Sequence, residues 1–111
     1  MIELVVLNYL KTKLDIPVVM EHQPNLPKRY ILIEKTSSKR DNLLKSSVIA
    51  IQSYAESLYE AAILNEKIKE IIDQLVYVDE VSGVRLNSDY NFTDSETKHY
   101  RYQAVFDIKH Y

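Results

Sequence analysis

The sequence contains no cysteine, no tryptophan and a single glycine, Gly83, among its 111 residues. The absence of cysteine excludes disulfide bonds and metal sites built on thiolates. One glycine also excludes the glycine-rich loops that hold phosphates in many nucleotide-binding proteins. The chain must therefore fold and function without cross-links and without such a loop.

The sequence also lacks an excess of positive charge, with 14 basic against 16 acidic residues and a formal net charge of -2. Nucleic-acid binding usually needs a basic face, so this balance argues against it. The N-terminal segment, MIELVVLNYLKTKLD, has an acid at position 3 and no basic leader, unlike a signal peptide. No apolar run is long enough to span a bilayer. We expect a single globular domain, residues 1–111, with no membrane partner.

A long helix is predicted from Ser57 to Leu75. Ser57 and Glu60 have the spacing of a capping box, in which the hydroxyl accepts from an amide and the carboxylate reaches back. The apolar residues recur at three- and four-residue steps, on one stripe: Leu58, Ala61, Ala62, Leu64, Ile68, Ile71, Ile72 and Leu75. The polar residues, Asn65 included, fall mostly on the other side. Such a helix needs an apolar sheet to pack against.

The flanking segments have the patterns of a second helix and of strands. Periodicity predicts a helix over Ile2–Leu14 and strands at Val18–Glu21, Tyr30–Lys35, Leu43–Tyr54, Val84–Phe92 and Tyr100–Lys109. The polar segment Thr36–Asn42 is predicted as a hairpin turn with Lys39 and Arg40 at its tip. The order predicts an α+β fold: a mixed or mainly antiparallel sheet of about five strands, with the N-terminal and the long central helix packed on it.

Strand alternation predicts which residues share a face. In the predicted strand Leu43–Tyr54, Ile49 and Ile51 should lie on one face and Gln52 and Tyr54 on the other. Both faces of this strand are then partly apolar, as in a central strand. One face of the next strand should hold Val84, Leu86, Ser88, Tyr90 and Phe92. One face of the last strand should hold Tyr100, Tyr102, Ala104, Phe106 and Ile108. The last two strands should form an antiparallel hairpin, and Gly83 before them is free to take a strained conformation.

No constellation of residues predicts catalysis. His22, His99 and His110 are far apart, and no pair has the spacing of helical metal ligands. The neighbouring acids Asp79–Glu80 and Asp94–Glu96 lie in predicted turns, where solvated charges are common. The sequence therefore predicts a protein that is not an enzyme, with no catalytic residue, no cofactor and no metal.

Nine tyrosines against two phenylalanines are typical of half-buried surfaces, including subunit contacts. The basic residues at 28, 29, 35, 39 and 40 form either a solvated loop or a contact with an acidic partner or DNA; the acidic long helix favours a second subunit. The candidate protein-contact residues are Lys39, Arg40, Gln52, Tyr54, Tyr90, Tyr100 and Tyr102. The alternative is that the tyrosines only complete the monomer core.

Five segments carry a resemblance to a known family: MIELVVLNYLKTKL, YILIEK, TSSKRDN, AIQSYAESLYEAAILNEKIKE and VRLNSDYNFTDSETKHYRYQAVFDIKHY. Over nearly its full length the chain resembles the small tail-completion (tail terminator) proteins of long-tailed phages and prophages of Gram-positive bacteria. The passages around Gln52–Tyr54 and Arg101–Ala104 carry most of the likeness. The resemblance implies an α/β sandwich that acts in the virion and is assembled in the bacterial cytoplasm.

The resemblance also implies the partners. Such proteins form a ring, commonly a hexamer, on the head-proximal end of the tail tube, where the ring stops tube growth and meets the head connector. DNA is a partner only by passage through the ring, and this sequence has no concentrated set of charges for such a lumen. Two alternatives stay open: another head–tail joining protein of the same neck region, and a small enzyme or ligand-binding domain.

Overall fold

Two helices and five strands make up the computed structural model, which describes residues 1–41 and 43–111. The elements in chain order are α1 Ile2–Lys13, β1 Val18–Val19, β2 Tyr30–Asp41, β3 Leu44–Tyr54, α2 Leu58–Asp73, a 3-10 turn Gln74–Tyr77, β4 Val81–Asn91 and β5 Arg101–His110. No helix in the described part of the chain is long and apolar enough to cross a membrane.

The strands form one sheet in the order β1-β2-β3-β5-β4. β1 pairs with β2 in parallel, and every other neighbouring pair is antiparallel. The predicted α+β class is therefore confirmed, as are the central position of β3 and the β4–β5 hairpin. β1 is shorter than predicted and ends at Val19 instead of Glu21.

The main core lies between the sheet and both helices. It joins Val6 and Leu10 of α1 and Ile68 and Ile72 of α2 to apolar side chains from the strands. The sheet side of this core is Ile31, Ile33, Ile49, Ile51, Ala104, Phe106 and Ile108. A smaller cluster of Val19, Tyr30, Leu32 and Tyr54 lies on the other face, with Leu26 packed against it. Both helices thus pack on the sheet, as the order of the elements predicted, and they cover the same face.

Helix α2 begins as the capping box predicts, in part. The Ser57 hydroxyl accepts a hydrogen bond from the Glu60 amide at 3.1 Å, which satisfies one free N–H of the first turn. The Glu60 carboxylate accepts instead from Arg29, at 2.9 Å. Asn65, predicted on the polar side, is buried with 1% of its surface exposed.

The polar segment that follows Lys35 is not a turn, which corrects the prediction for this hairpin. Strand β2 continues through it to Asp41, and Lys39 and Arg40 lie opposite Ser46 and Lys45 instead of at a tip. Asn42, the last residue of the predicted turn, lies outside the described residues. Pairing with β3 supplies the backbone hydrogen bonds, so polar residues of low strand preference are held in the strand.

Bulges in two strands shift the faces that simple alternation assigns. The register shifts between Lys35 and Ser37 in β2, and between Leu86 and Ser88 in β4. An extra residue reverses the facing of everything beyond it. Ser88 and Tyr90 therefore lie on the opposite face from Val84 and Leu86, against the prediction.

The same shift in β4 explains why Asn65 is buried. It turns Asp89 toward α2, where the carboxylate accepts from Asn65 Nδ2 at 2.9 Å and from Lys69 Nζ at 3.0 Å. A polar partner from the sheet thus meets the helix inside the layer that periodicity assigned to apolar residues. Gly83 does not use the conformational freedom of glycine, because its φ is not positive.

Candidate protein-contact surfaces

Within residues 1–41 and 43–111, no helix packs on one face of the sheet, and we call it the open face. The pairing registers place five rows of residues across it from β2 toward β4. The rows are Tyr30–Tyr54–Arg101, Leu32–Gln52–Gln103–Tyr90, Glu34–Ala50–Val105–Ser88, Ser37–Val48–Asp107–Arg85 and Lys39–Ser46–Lys109–Gly83. Leu26, in the segment before β2, packs against Tyr30, Leu32 and Tyr54, which belong to the first two rows. In the described part of the chain, no helix packs on the other residues of these rows.

A chain of hydrogen bonds crosses the open face. Arg101 donates to the Tyr54 hydroxyl at 2.6 Å, and that hydroxyl donates to Gln52 Oε1 at 3.1 Å. Gln52 Nε2 donates to Gln103 Oε1 at 2.9 Å, and Gln103 Nε2 donates to the Tyr90 hydroxyl at 2.6 Å. Each member uses its donor on the next, so these side chains are held in one arrangement.

Aromatic contacts fix one end of the same face. Tyr30 stacks on Tyr54 with ring centroids 4.4 Å apart, and the Arg101 guanidinium lies 4.5 Å from the centroid of Phe92. Burial, followed by the neighbouring Tyr54, raises the pKa of Tyr30 to about 12. The Tyr30 phenol therefore stays protonated at any physiological pH. The open face has exposed aromatic edges at Tyr90 and Phe92, which are 41% and 39% exposed.

The structure brings together three of the seven predicted contact residues. Gln52, Tyr54 and Tyr90 belong to the hydrogen-bond chain, although Gln52 and Tyr54 are buried. Tyr102 lies on the helix side of β5, where it pairs with Ser53 and Asn91. Tyr100 precedes β5, and its carbonyl accepts from the Ala55 amide at 3.2 Å.

The two predicted basic contacts lie at the far end of β2 and on opposite faces. Lys39 is exposed on the open face, whereas the next residue, Arg40, projects to the helix side. Sequence reasoning missed Arg101, Gln103 and Phe92. Alternation had assigned Arg101 and Gln103 to one face, but no local signal showed that Gln103 would meet Gln52.

A groove of about 800 Å³ crosses the open face at the hairpin end of the sheet. Lys39, Arg85 and Lys109 line it together with serines of β2 and β3. The Arg85 guanidinium donates to Asp107 at 2.8 Å and holds the pKa of that carboxyl below its usual range. Asp107 is paired with Arg85, which leaves the charges of Lys39 and Lys109, so the groove has a net positive charge.

A second pocket of about 560 Å³ lies between the segment before β2 and the turn before β5. Its aromatic wall contains Tyr30, Tyr54, Tyr100, His22 and His99. Two further lining residues, Asn25 and Lys98, have positive φ angles of 67° and 55°, a conformation that costs energy in residues other than glycine. This pocket is the place to test for a small ligand with a flat ring.

A serine and a histidine meet at the hairpin end of the sheet. The Ser47 hydroxyl and His110 Nε2 are 2.8 Å apart, and both residues are buried, at 1% and 7% exposure. Burial lowers the pKa of His110. A serine nucleophile must reach its substrate, so this buried pair is a structural contact. Within residues 1–41 and 43–111, no group of three His, Asp or Glu residues has the arrangement of a metal site.

No family model matches this sequence, and no curated protein matches it.

Proposed function

We propose that this chain is a tail terminator of a long-tailed phage or prophage. It is a structural protein that caps the head-proximal end of the tail tube as a ring and joins the tube to the head connector. The ring acts by covering the tube end, so that further tube subunits find no site. The chain carries out no reaction in this role.

The observation that carries the proposal is the open face. An antiparallel sheet with one uncovered face usually presents polar, solvated side chains there. Here the uncovered face instead carries a prearranged set of tyrosine, glutamine, arginine and phenylalanine. Aromatic residues and arginine are the types enriched where proteins meet, and rigid side chains lose little entropy on binding. The open face is therefore assigned to contact with the tail tube.

Two further features support a structural role. The fold class agrees with the α/β sandwich that the resemblance implies. A ring also requires each subunit to present two unlike, complementary surfaces. This molecule has two unlike sides, because helices cover one face of its sheet and the other is the open face.

The test is a tube-length assay. Tail-tube protein from the same genome is polymerised with and without this chain, and tube lengths and ends are measured by electron microscopy. We expect shorter tubes with density at one end only. Phe92→Ala and Tyr90→Ala should weaken capping, because each removes an exposed aromatic edge of the open face.

The matched control is Tyr59→Ala, which removes an aromatic side chain that is 71% exposed on α2. It should cap as the unmodified chain does, and circular dichroism verifies that all variants are folded. Binding to the connector but never to tubes would instead identify another joining protein of the neck. A clear thermal-shift hit with a small planar ligand, lost in His99→Ala, would favour a ligand-binding domain.

A further inference from the structure

The two edges of the sheet differ in the charge found beside them, which is basic at the end of β2 and mainly acidic between α2 and β4. One edge is β2, because β1 pairs only with Ile31 and Leu32. The hairpin at its end carries exposed Lys39, Arg40, Leu43 and Lys45, and we call these four residues the basic hairpin. Leu43 is 84% exposed, so the basic hairpin presents an apolar side chain among cations. Lys39 and Lys45 form no ion pair with any described residue.

The opposite edge holds a groove between α2 and β4, of about 320 Å³. We call it the α2–β4 groove. Its apolar lining is Val84, Leu86 and Phe106, and its rim is Glu66, Lys69, Glu70 and Asp73. Leu86 is 41% exposed there, although it lies on the helix side of the sheet. The groove therefore offers an apolar floor and a mainly acidic rim.

The charges on this rim are poorly placed for the chain alone. Lys69 already pairs with Glu66 at 2.7 Å and with Asp89 at 3.0 Å, whereas Glu70 and Asp73 have no ion-pair partner in the described chain. Both lie near the C-terminal end of α2, where the helix dipole disfavours negative charge, and the last turn contains no basic residue. Cations from outside the chain would relieve this repulsion.

We propose that the basic hairpin of one copy docks in the α2–β4 groove of the next copy, with Leu43 over the apolar floor and Lys39 and Lys45 against Glu70 and Asp73. The inference rests on the proposed function, for which it names the contact between ring subunits. The occupant is a second copy because both halves of the match, apolar centre and opposite charge, are present on this one chain.

The positions of the two surfaces suit a closed ring. They lie on opposite edges of the sheet with β3 and β5 between them, about 14 Å apart at the usual strand spacing, so one chain cannot fill its own groove. Each copy uses unlike surfaces toward its two neighbours. Head-to-tail contacts of this kind generate rings when the rotation between copies closes.

The experiment measures mass by sedimentation over a range of protein concentrations. The unmodified chain should form oligomers that weaken as salt rises, because salt screens charged contacts. The hairpin variant Lys39→Glu/Lys45→Glu and the groove variant Glu70→Lys/Asp73→Lys should each self-associate at least about tenfold more weakly, because each places like charges together.

Mixing the two variants is the decisive step. The acidic hairpin of one then meets the basic groove of the other, and the two unmodified surfaces also match, so the mixture should oligomerise as the unmodified chain does. The control is a mixture of Lys11→Glu and Glu96→Lys, two exposed positions outside both surfaces, each of which should associate normally alone.

The outcomes separate the inference from the function. An unmodified chain that stays monomeric, variants that associate normally, or a mixture that does not recover would each overturn the inference. If the chain still stops tube growth in those cases, the proposed function survives. If the contact forms as expected but tubes are neither bound nor stopped, the proposed function fails and the contact between copies stands.

Discussion

Gln52 Nε2 donates to Gln103 Oε1 at 2.9 Å across the two central strands, with 5% and 9% of the two residues exposed. This bond is the third of the four hydrogen bonds that run from Arg101 to Tyr90. Two glutamines on an uncovered sheet face would ordinarily be solvated. Here each amide also hydrogen-bonds a tyrosine hydroxyl, that of Tyr54 for Gln52 and that of Tyr90 for Gln103, so these bonds orient the side chains of the open face.

The stability losses from removing the two glutamines should not be additive. Gln52→Leu or Gln103→Leu leaves a buried amide unpaired, and we expect each to lower the free energy of unfolding by about 1–3 kcal/mol. The double variant Gln52→Leu/Gln103→Leu should lose less than the sum of the two single losses. Urea unfolding measures all three. Gln23→Leu, at an exposed position, is the control, and strictly additive losses would contradict the coupling.

The cap of α2 should contribute measurably to stability. Ser57→Ala removes the acceptor for the Glu60 amide and should lower the free energy of unfolding by about 0.5–2 kcal/mol. Ser57→Asp supplies another acceptor and should retain most of the stability. Thermal and urea unfolding of both variants make the comparison. Equal losses in the two variants would show that the hydroxyl is not acting as a cap.

Two isoleucines of α2 should respond differently to truncation. Ile68 is fully buried and belongs to the main core, so Ile68→Ala should cost about 2–5 kcal/mol. Ile63 lies on the outer side of the same helix with 50% of its surface exposed, so Ile63→Ala should cost clearly less. Both variants carry the same substitution in the same helix. The difference between their free energies of unfolding, measured in urea, therefore reports the difference in burial. Similar losses would mean that the helix faces the sheet differently.

Stability should fall as the solution is acidified through the range of histidine. Burial, together with the positive charges of Lys45, Lys35 and the N-terminus, lowers the pKa of His110 below its ordinary value of about 6.5. The unfolded chain therefore binds a proton more readily than the folded chain. Stability is then full above the unfolded pKa and is lost as pH falls from about 6.5 toward the folded pKa.

The check is urea unfolding of the unmodified chain and of His110→Gln between pH 7.5 and pH 5. The variant should have a flatter profile, whereas Gln23→Leu, at an exposed position and without loss of a titratable group, should keep the slope of the unmodified chain. Asp107 does not confuse this range, because its lowered pKa places its titration at more acidic values. A profile for His110→Gln that matches the unmodified chain would refute this origin of the slope.

The sequence predicted the elements well because local periodicity reports burial. The stripe of α2 and the alternation of Ile49 and Ile51 follow from which side of one element faces the core, and the Ser57 cap follows from the local spacing of Ser57 and Glu60. The Val81–Asn91 strand shows the limit of this reasoning. The predicted alternation is correct from Val84 to Leu86 and reversed from Ser88, and no residue type at that point indicates the register shift.

The candidate surfaces were predicted only in part for the same reason. Gln52, Tyr54 and Tyr90 were selected as contact residues, but their connection through Gln103 depends on the register between β3 and β5. Tyr102 was selected as well, and its side of β5 faces the helices. Residues far apart in the chain become neighbours only when strands pair, and the sequence of one strand alone does not specify which residues pair.

The sequence by itself determined two amphipathic helices, five strands, their α+β combination and the helix cap, because each depends on the spacing of residues along one segment. Only the tertiary structure decided the bulges, the placement of β5 between β3 and β4, the meeting of Asn65 with Asp89 and the hydrogen-bond chain of the open face. Those features depend on which backbone groups of two distant segments pair, and one extra residue in a strand exchanges the faces of all residues beyond it.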